Sequence, residues 1–183
     1  QERKALENTS KGNVHRFDTI VIYDTLGIFY QRYTQSFDVY GNIIQRKIEY
    51  FGNGQWLNSD IVEYTYDLNH NILGEIYKLW IDTTWTNWSK SIFMYDSNNQ
   101  CISQFEYEWK NNIWANVYKL FWNYNTNKDV EFYTEEHWQN DTLVVIYADS
   151  FIYNTNNKLV TKLSGSFQNG VLSVYSKYIY TYD

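Results

Sequence analysis

The sequence predicts an all-β fold, an antiparallel meander of β-hairpins repeated every 29 residues in a single curled or spiralling sheet. Aromatic residues make up 20% of the 183 residues, with 19 Tyr, 10 Phe and 8 Trp, and aromatic side chains favour strands because they fit a pleated, half-buried surface. Proline is absent, so no strand lacks a backbone donor. The same residue types also return at a constant spacing, which indicates a repeat protein.

The repeat is visible in several columns of equivalent residues. One column joins an aromatic residue to Asp or Asn: Phe37-Asp38, Tyr66-Asp67, Tyr95-Asp96, Tyr124-Asn125, Tyr153-Asn154 and Tyr182-Asp183. Two further columns are mainly Trp: Phe51, Trp80, Trp109, Trp138, Phe167, and Trp56, Trp85, Trp114, Leu143, Leu172. We therefore expect a mobile leader at residues 1–17, an atypical capping unit at 18–37, and five hairpin units at 38–183 that form one domain.

Each unit carries two turn signals. Pairs such as Asn53-Gly54 are typical of a type I′ turn, which requires positive φ twice. The second signal is Asp or Asn followed three residues later by Gly or Asn, as in Asp38 to Gly41, where the first side chain bonds the turn and the last tolerates a left-handed conformation. His70 and Lys128 occupy that last position in two units and suit it less well.

The turns also predict the register. Phe51 should face Trp56 across the tight turn, and we expect Trp56 to face Trp80 across the wider turn, with a bulge there to keep both rings on one face. The Trp columns would then stack as a continuous ladder along one margin of the sheet. A second ladder from the Ile43, Tyr64 and Tyr66 columns should lie at the other margin of the same face, with Lys90 and Lys119 on the reverse face.

Composition excludes several functions. The net charge is −6 and the pI is near 5.0, which argues against nucleic-acid binding. A single cysteine, Cys101, excludes a disulfide framework and a Cys-based zinc cluster. No apolar run approaches the roughly 20 residues of a spanning helix, so we expect no transmembrane segment.

Catalytic motifs are missing from the sequence. His15, His70 and His137 have no ligand spacing, and no phosphate loop or nucleophile elbow is present. Glu106 with Glu108, and the group Glu131, Glu135 and Glu136, would offer a glycosidase carboxylate pair, but these positions vary between units and read as solvated strand residues. We therefore expect a protein that is not an enzyme.

Calcium is the one cofactor that the turns suggest. Asp67, Asn69 and Asn71 offer oxygens at alternate positions, yet calcium takes six to eight oxygen ligands with a bidentate carboxylate, and no such ligand recurs. We favour a turn-shaping role for these residues and expect no cofactor and no metal.

The Trp columns define the candidate ligand or partner surface. Buried, the rings would form the core; exposed, they would give a flat surface for sugar rings or a protein partner, with the amides of the adjoining Asn column bonding hydroxyls. Unpaired sheet edges offer self-association as a further option. The candidate residues are Trp56, Trp80, Trp85, Trp109, Trp114, Trp138, Asn58, Asn87 and Asn116.

The segments "YTYDLNHN", "FMYDSNNQ", "FWNYNTNK" and "FIYNTNNK" resemble the Tyr-Asp (YD) repeats of Rhs and teneurin proteins. They are more similar still to Tyr/Asp/Asn/Trp-rich repeats in secreted proteins of the Bacteroidetes. This resemblance implies a non-catalytic scaffold that is secreted or displayed on the bacterial outer membrane, with export by the type IX route. The expected role is structural, adhesive or protein-binding; the alternatives are a carbohydrate-binding module that uses the aromatic stripe and a self-assembling fibre subunit.

Overall fold

The structure is a computed structural model that describes residues 17–168 and 171–182. Residues 1–16 of the expected leader at 1–17 lie outside these described residues, as does the fifth tight turn at Asn169-Gly170. Twelve β-strands and no helix occupy the described ranges. The strands are β1 (Thr19–Tyr23), β2 (Phe29–Phe37), β3 (Ile43–Gly52), β4 (Gln55–Tyr66), β5 (Ile72–Ile81), β6 (Thr84–Tyr95), β7 (Cys101–Lys110), β8 (Ile113–Tyr124), β9 (Val130–Gln139), β10 (Thr142–Tyr153), β11 (Leu159–Gln168) and β12 (Val171–Ile179).

All twelve strands belong to one open antiparallel sheet, which confirms the predicted fold class. The strand order in the sheet runs from β1 to β12 without a crossover, so each strand pairs only with its neighbours in the chain. β1 and β12 therefore form the two edges. The turns alternate between two margins of the sheet, and the tight turns of successive units lie side by side.

The tight turns have the predicted conformation. Asn53 and Gly54 have φ of 53° and 76°, and both turn residues are also positive in the three following units, as a type I′ turn requires. Phe51 pairs with Trp56 across the first of these turns, which confirms the predicted register of the hairpin.

The wider turns are built by the Asp or Asn side chain at their start. Oδ1 of Asp67 accepts hydrogen bonds from the backbone N–H groups of Asn69 and Asn71, both at 2.8 Å. In each of the remaining wide turns the equivalent oxygen accepts the same two hydrogen bonds. His70 and Lys128 adopt the left-handed conformation, with φ of 68° and 71°, at the position where other units have Gly or Asn.

The tyrosine of each Tyr-Asp pair closes the open end of its hairpin. The Tyr66 hydroxyl donates to the carbonyl of Ile43 at 2.9 Å, and Tyr95 bonds Ile72 in the same way at 3.0 Å. The three remaining units repeat the bond. This bond gives the tyrosine a structural function in every unit and explains why it recurs.

The register across the wider turns differs from the prediction. Tyr66 pairs with Ile72, and the β4–β5 ladder ends at Asp60 opposite Leu79, so Trp56 does not face Trp80. A bulge does lie beside each wide turn, at Leu73 between β4 and β5. A second bulge in the middle of the longer strand was not predicted. Its residues are Ser59, Trp88, Val117, Ile146 and Tyr175.

The second bulge changes which residues share a face. A single extra residue inverts the alternation of side chains beyond it, so Asn58 lies opposite Glu49 while Asp60 lies opposite Ile48. The side that carries Phe51 and the Trp columns is called here the tryptophan face, and the other side the tyrosine face. The Ile43, Tyr64 and Tyr66 columns lie on the tyrosine face, which makes the prediction of two ladders on one face wrong. Lys90 and Lys119 lie on the tryptophan face, contrary to expectation.

The core is thin because the sheet has a single layer. Only three apolar side chains are buried among the described residues: Ile61, Val62 and Ala148. Polar residues are buried beside them in the middle of the strands, including Glu49, Asp60 and Asp149. Stability must therefore come largely from ladder hydrogen bonds, cross-strand contacts and the repeated turns.

Candidate functional site

The Trp columns form separate pairs at the tight turns. Trp80 and Trp85 have ring centroids 4.9 Å apart with an interplanar angle of 64°, and Trp109 and Trp114 lie 4.8 Å apart at 65°. Edge-to-face geometry suits the quadrupoles of the two rings. The six predicted Trp residues are all half-buried on the tryptophan face, where Trp138 pairs with Leu143.

The predicted continuous ladder is wrong. Among the described residues no ring contact joins the Trp pair of one hairpin to the pair of the next, because the registered ladder between hairpins ends before it reaches the Trp positions. In the part of the chain that the structure describes, further aromatic rings join the row at its N-terminal end. There the ring centroid of Phe29 lies 5.5 Å from that of Phe51 and 5.0 Å from that of Tyr23. These rings meet because the wide turn between β1 and β2 lies at the same margin of the sheet as the tight turns.

Cations cover part of this surface. The Arg32 guanidinium lies 4.7 Å from the ring centroid of Trp56, and the Lys90 ammonium lies 4.2 Å from Tyr107 and 5.0 Å from Trp114. Such contacts attract a cation to the face of the ring. The inclined pairs and their cations make the tryptophan face a row of ridges, whereas a sugar ring stacks best on a flat aromatic surface.

The Asn column lies where the sequence predicts it. Asn58, Asn87 and Asn116 follow the Trp pairs on the same face, opposite Glu49, Lys78 and Tyr107. Their side-chain amides make no hydrogen bond to a described residue. Each amide can therefore donate to and accept from a partner that lies on the Trp row.

An ion-pair cluster supports the N-terminal end of the row. The buried Glu49 carboxylate accepts from Arg32 at 2.6 Å and 2.8 Å and from Lys47 at 2.9 Å. Burial alone would raise the pKa of Glu49, but the hydrogen bonds from Lys47 and Arg32 outweigh it and hold this pKa below its usual value. The same Arg32 lies over Trp56, so the cluster fixes the position of that ring.

The tyrosine face carries a groove that the sequence does not predict. It has a volume of about 470 Å³ and lies across the middle of β3 to β6. Arg46 and Glu75 occupy equivalent positions in successive units and both line it. Burial, and then the nearby Glu106 carboxylate, raise the pKa of Glu75, while Arg46 opposes the shift.

Arg46 is the unusual member of the groove. Its Nε is buried and donates to no acceptor, a situation that costs about 1–3 kcal/mol when the group is fully desolvated. Its guanidinium also makes no hydrogen bond or salt bridge to a residue in the described part of the chain. The column to which Arg46 belongs, with Glu75, Gln104, Tyr133 and Lys162, does not repeat, and this lack of periodicity is the signal that could have found it.

The other candidates occupy ordinary structural positions. Asp67 uses Oδ1 for two backbone N–H groups and Oδ2 for the Asn71 side-chain amide at 2.9 Å, and these bonds lower its pKa. His70 lies beside Asn42 in a turn, and His137 contacts Glu135 at 2.8 Å; His15 lies outside the described residues. In residues 17–168 and 171–182 no group of three or more His, Cys, Asp or Glu side chains could hold a metal ion.

β1 and β12 each have one neighbour in the sheet, so self-association through these edges stays a prediction. Throughout the stretches that the structure covers, no helix has the length and apolarity needed to span a membrane.

Comparison with known proteins gives structural neighbours only. No protein-family model matches the chain, and no curated protein matches it. It is similar to a DUF3836 family protein from Bacteroides vulgatus, with a TM-score of 0.40 and 21% identity over 49% of this chain and 92% of the other. A protein of unknown function from Bacteroides fragilis aligns with a TM-score of 0.33 and 10% identity over 82% of this chain and 91% of the other. The protein TcdB2-TccC3-TEV aligns with a TM-score of 0.26 and 10% identity over 92% of this chain and 13% of the other.

Proposed function

We propose that this chain is a non-catalytic repeat scaffold that presents the tryptophan face to a protein partner at the cell surface, in a structural or adhesive role. The observation that carries the proposal is the row of half-exposed Trp pairs, held at equivalent positions on one face of a single-layer sheet. Aromatic and Arg side chains are enriched at the centres of protein interfaces. Here Trp56 and Arg32 lie together.

The geometry favours a protein over a glycan on this face. The rings of each pair are inclined by 64° to 68°, and Lys90 lies over Trp114, so little flat aromatic surface is left for a sugar ring. A protein partner can place side chains between the ridges and bond the unpaired amides of Asn58, Asn87 and Asn116. The row then acts as a repeated set of anchors whose contributions add along the sheet.

The resemblance of the units to YD repeats of secreted Bacteroidetes proteins supports a position outside the cell, reached by the type IX route. We expect protease treatment of intact cells of the source organism to remove the protein. Its survival on intact cells, with loss only after lysis, would contradict the proposed location.

The partner surface is tested by the double variant Trp85→Ala with Trp114→Ala. Fluorescently labelled wild-type protein should bind intact source cells or isolated outer membranes saturably, and the double variant should lose most of this binding. The matched control is Trp88→Ala. Trp88 is 54% exposed and is a bulge residue outside the Trp row, so its removal should leave binding unchanged. Urea titration of all three proteins must show that each is folded under the assay conditions.

Equal binding by the double variant and the wild type would reject the tryptophan face as the partner surface. Equal loss in Trp88→Ala would point to general aromatic exposure rather than to the paired row. Binding that free neutral sugars abolish equally in the wild type and in Arg46→Met, a change on the tyrosine face, would replace the protein partner on the tryptophan face by a glycan.

A further inference from the structure

The groove on the tyrosine face is a second surface, separate from the Trp row. Its lining combines Ile48 and Val62 with the rings of Tyr50, Tyr64 and Tyr77. Tyr50 is 41% exposed, so its ring is accessible from solvent. Four neighbouring strands, β3 to β6, contribute to the lining.

Polar groups lie among these apolar residues. Asp60 is buried and its carboxylate accepts from the Ser59 hydroxyl at 2.8 Å, whereas Glu75 offers a carboxylate, Ser89 and Ser91 offer hydroxyls, and Arg46 offers a guanidinium that no described residue bonds. Because Arg46 and Glu75 lie on adjacent hairpins without an ion pair between them, a ligand group placed there would receive a donor from one and an acceptor from the other. A hydroxyl group both donates and accepts, so it suits both partners.

The charges of the lining narrow the ligand further. Two carboxylates and one guanidinium disfavour an anionic ligand because Asp60 and Glu75 would repel it, and Arg46 would repel a cation. A neutral ring with one apolar face and several hydroxyl groups meets every part of the lining. Tyr rings pack against the apolar face of such a molecule, and fixed polar groups set its orientation.

We propose that this groove binds one neutral saccharide ring, with Arg46 and Glu75 bonding neighbouring hydroxyl groups and a Tyr ring stacked on its apolar face. The lining residues do not recur in the other units. Tyr133 and Lys162 replace Arg46 further along the column, so each chain offers one such site. The site is independent of the partner surface on the tryptophan face.

Isothermal titration calorimetry tests the proposal on the whole chain, with uronic acids and amino sugars as charged comparisons beside a panel of neutral mono- and oligosaccharides. We expect one of these sugars to bind with a stoichiometry of one per chain, and Arg46→Met to weaken it by about tenfold or more, since hydrogen bonds to a charged group are strong. Glu75→Gln, which keeps the shape of the carboxyl group, should also weaken binding, by less than Arg46→Met does.

Two controls separate the groove from general effects. Gln104→Met changes the equivalent position two strands beyond Glu75, outside the groove, and should leave the affinity unchanged. Trp85→Ala with Trp114→Ala should also bind the sugar normally, which distinguishes this site from the Trp row. Arg46→Met should keep the wild-type urea midpoint or exceed it, because it removes a buried donor that has no acceptor.

Three outcomes would overturn the proposal. The first is that no neutral sugar binds at millimolar concentration. The second is that the affinity is the same in Arg46→Met and the wild type. The third is that only uronic acids or amino sugars bind, which would show that charge, and not hydroxyl geometry, selects the ligand.

Discussion

Thr83 occupies the second position of a tight turn with φ of 69°. A β-branched residue is strained in this left-handed region. Replacement by glycine removes the strain, so we expect Thr83→Gly to raise the free energy of unfolding by about 1 kcal/mol. Urea denaturation followed by Trp fluorescence measures the change.

Gly54 provides the reciprocal control for Thr83. It has φ of 76°, and a Cβ added there would meet no atom within 4 Å. Gly54→Thr should therefore destabilise the protein by a similar amount, through the backbone alone. A stability loss in Thr83→Gly would show that the threonine side chain has contacts that outweigh the strain.

Glu49 makes stability depend on pH. Its pKa in the folded protein lies below the ordinary value, so its stabilising contribution is present above the pKa of the unfolded chain and is lost as the pH falls through the folded pKa. We expect Glu49→Gln to be destabilising at pH 7, since it leaves Arg32 and Lys47 without their carboxylate, and to approach the wild type in acid. Urea titrations at a series of pH values test this.

Glu108→Gln is the control for Glu49. Glu108 pairs with Lys110 at 2.6 Å, but both side chains are largely exposed, and exposed pairs contribute little. The free energy of unfolding of Glu108→Gln should stay within a few tenths of a kcal/mol of the wild-type value at every pH. A constant gap between Glu49→Gln and the wild type down to strong acid would contradict the ion-pair explanation.

Arg46 shows why the groove could not be predicted. A repeat is found by what recurs, and Arg46, Glu75 and Gln104 share a column while having different charges. Arg46 and Glu75 come close together only because of the register across the wider turn, where Tyr64 faces Glu75. The Trp positions recur, and for that reason the sequence does predict them.

In the described part of the chain, the Trp rings make contacts within a hairpin and not between neighbouring hairpins. Trp80 and Trp85 touch within one hairpin, whereas Trp85 and Trp109 belong to different hairpins and make no ring contact. A double-mutant cycle on Trp80→Ala and Trp85→Ala should give a coupling energy of about 0.5–1.5 kcal/mol. Chemical denaturation of the four proteins provides the measurement.

The same cycle on Trp85→Ala and Trp109→Ala is the matched control. These two changes should add to within about 0.5 kcal/mol. Equal coupling energies in both cycles would contradict separate Trp pairs and support the continuous ladder that the sequence predicts.

Hairpin formation could be predicted, but the bulge in the longer strand could not. Asn53-Gly54 identifies a tight turn and its register by turn chemistry alone. The bulge column contains Ser59, Trp88 and Tyr175 among its members, and these residues share no size or polarity. Trp56 and Tyr64 also have the same parity in β4, so the alternation gives no sign that they lie on opposite faces.

The whole molecule behaves as an array because each strand pairs only with its neighbours. Deletion of residues 82–110 removes one complete unit and joins Ile81 to the next tight turn at Asn111. We expect a folded sheet with the same columns, and a urea m-value lower by roughly a fifth, since less surface is exposed on unfolding. Circular dichroism and urea titration would establish both.

Deletion of residues 81–110 is the control for the unit deletion. The one additional residue shifts the strand pairing and sends the side chains of one strand to the wrong face. This protein should be strongly destabilised or unfolded. Equal stability of the two deletions would mean that the faces of the sheet do not specify its register.

The linear strand order also determines how the sheet would respond to mechanical load. β1 and β12 lie at opposite edges, separated along the sheet by roughly 50 Å at the usual strand spacing. Tension applied between these edges would separate the strands one pair at a time, because the force acts on only a few ladder hydrogen bonds at once. A chain of this kind extends in many small steps and dissipates a pull gradually.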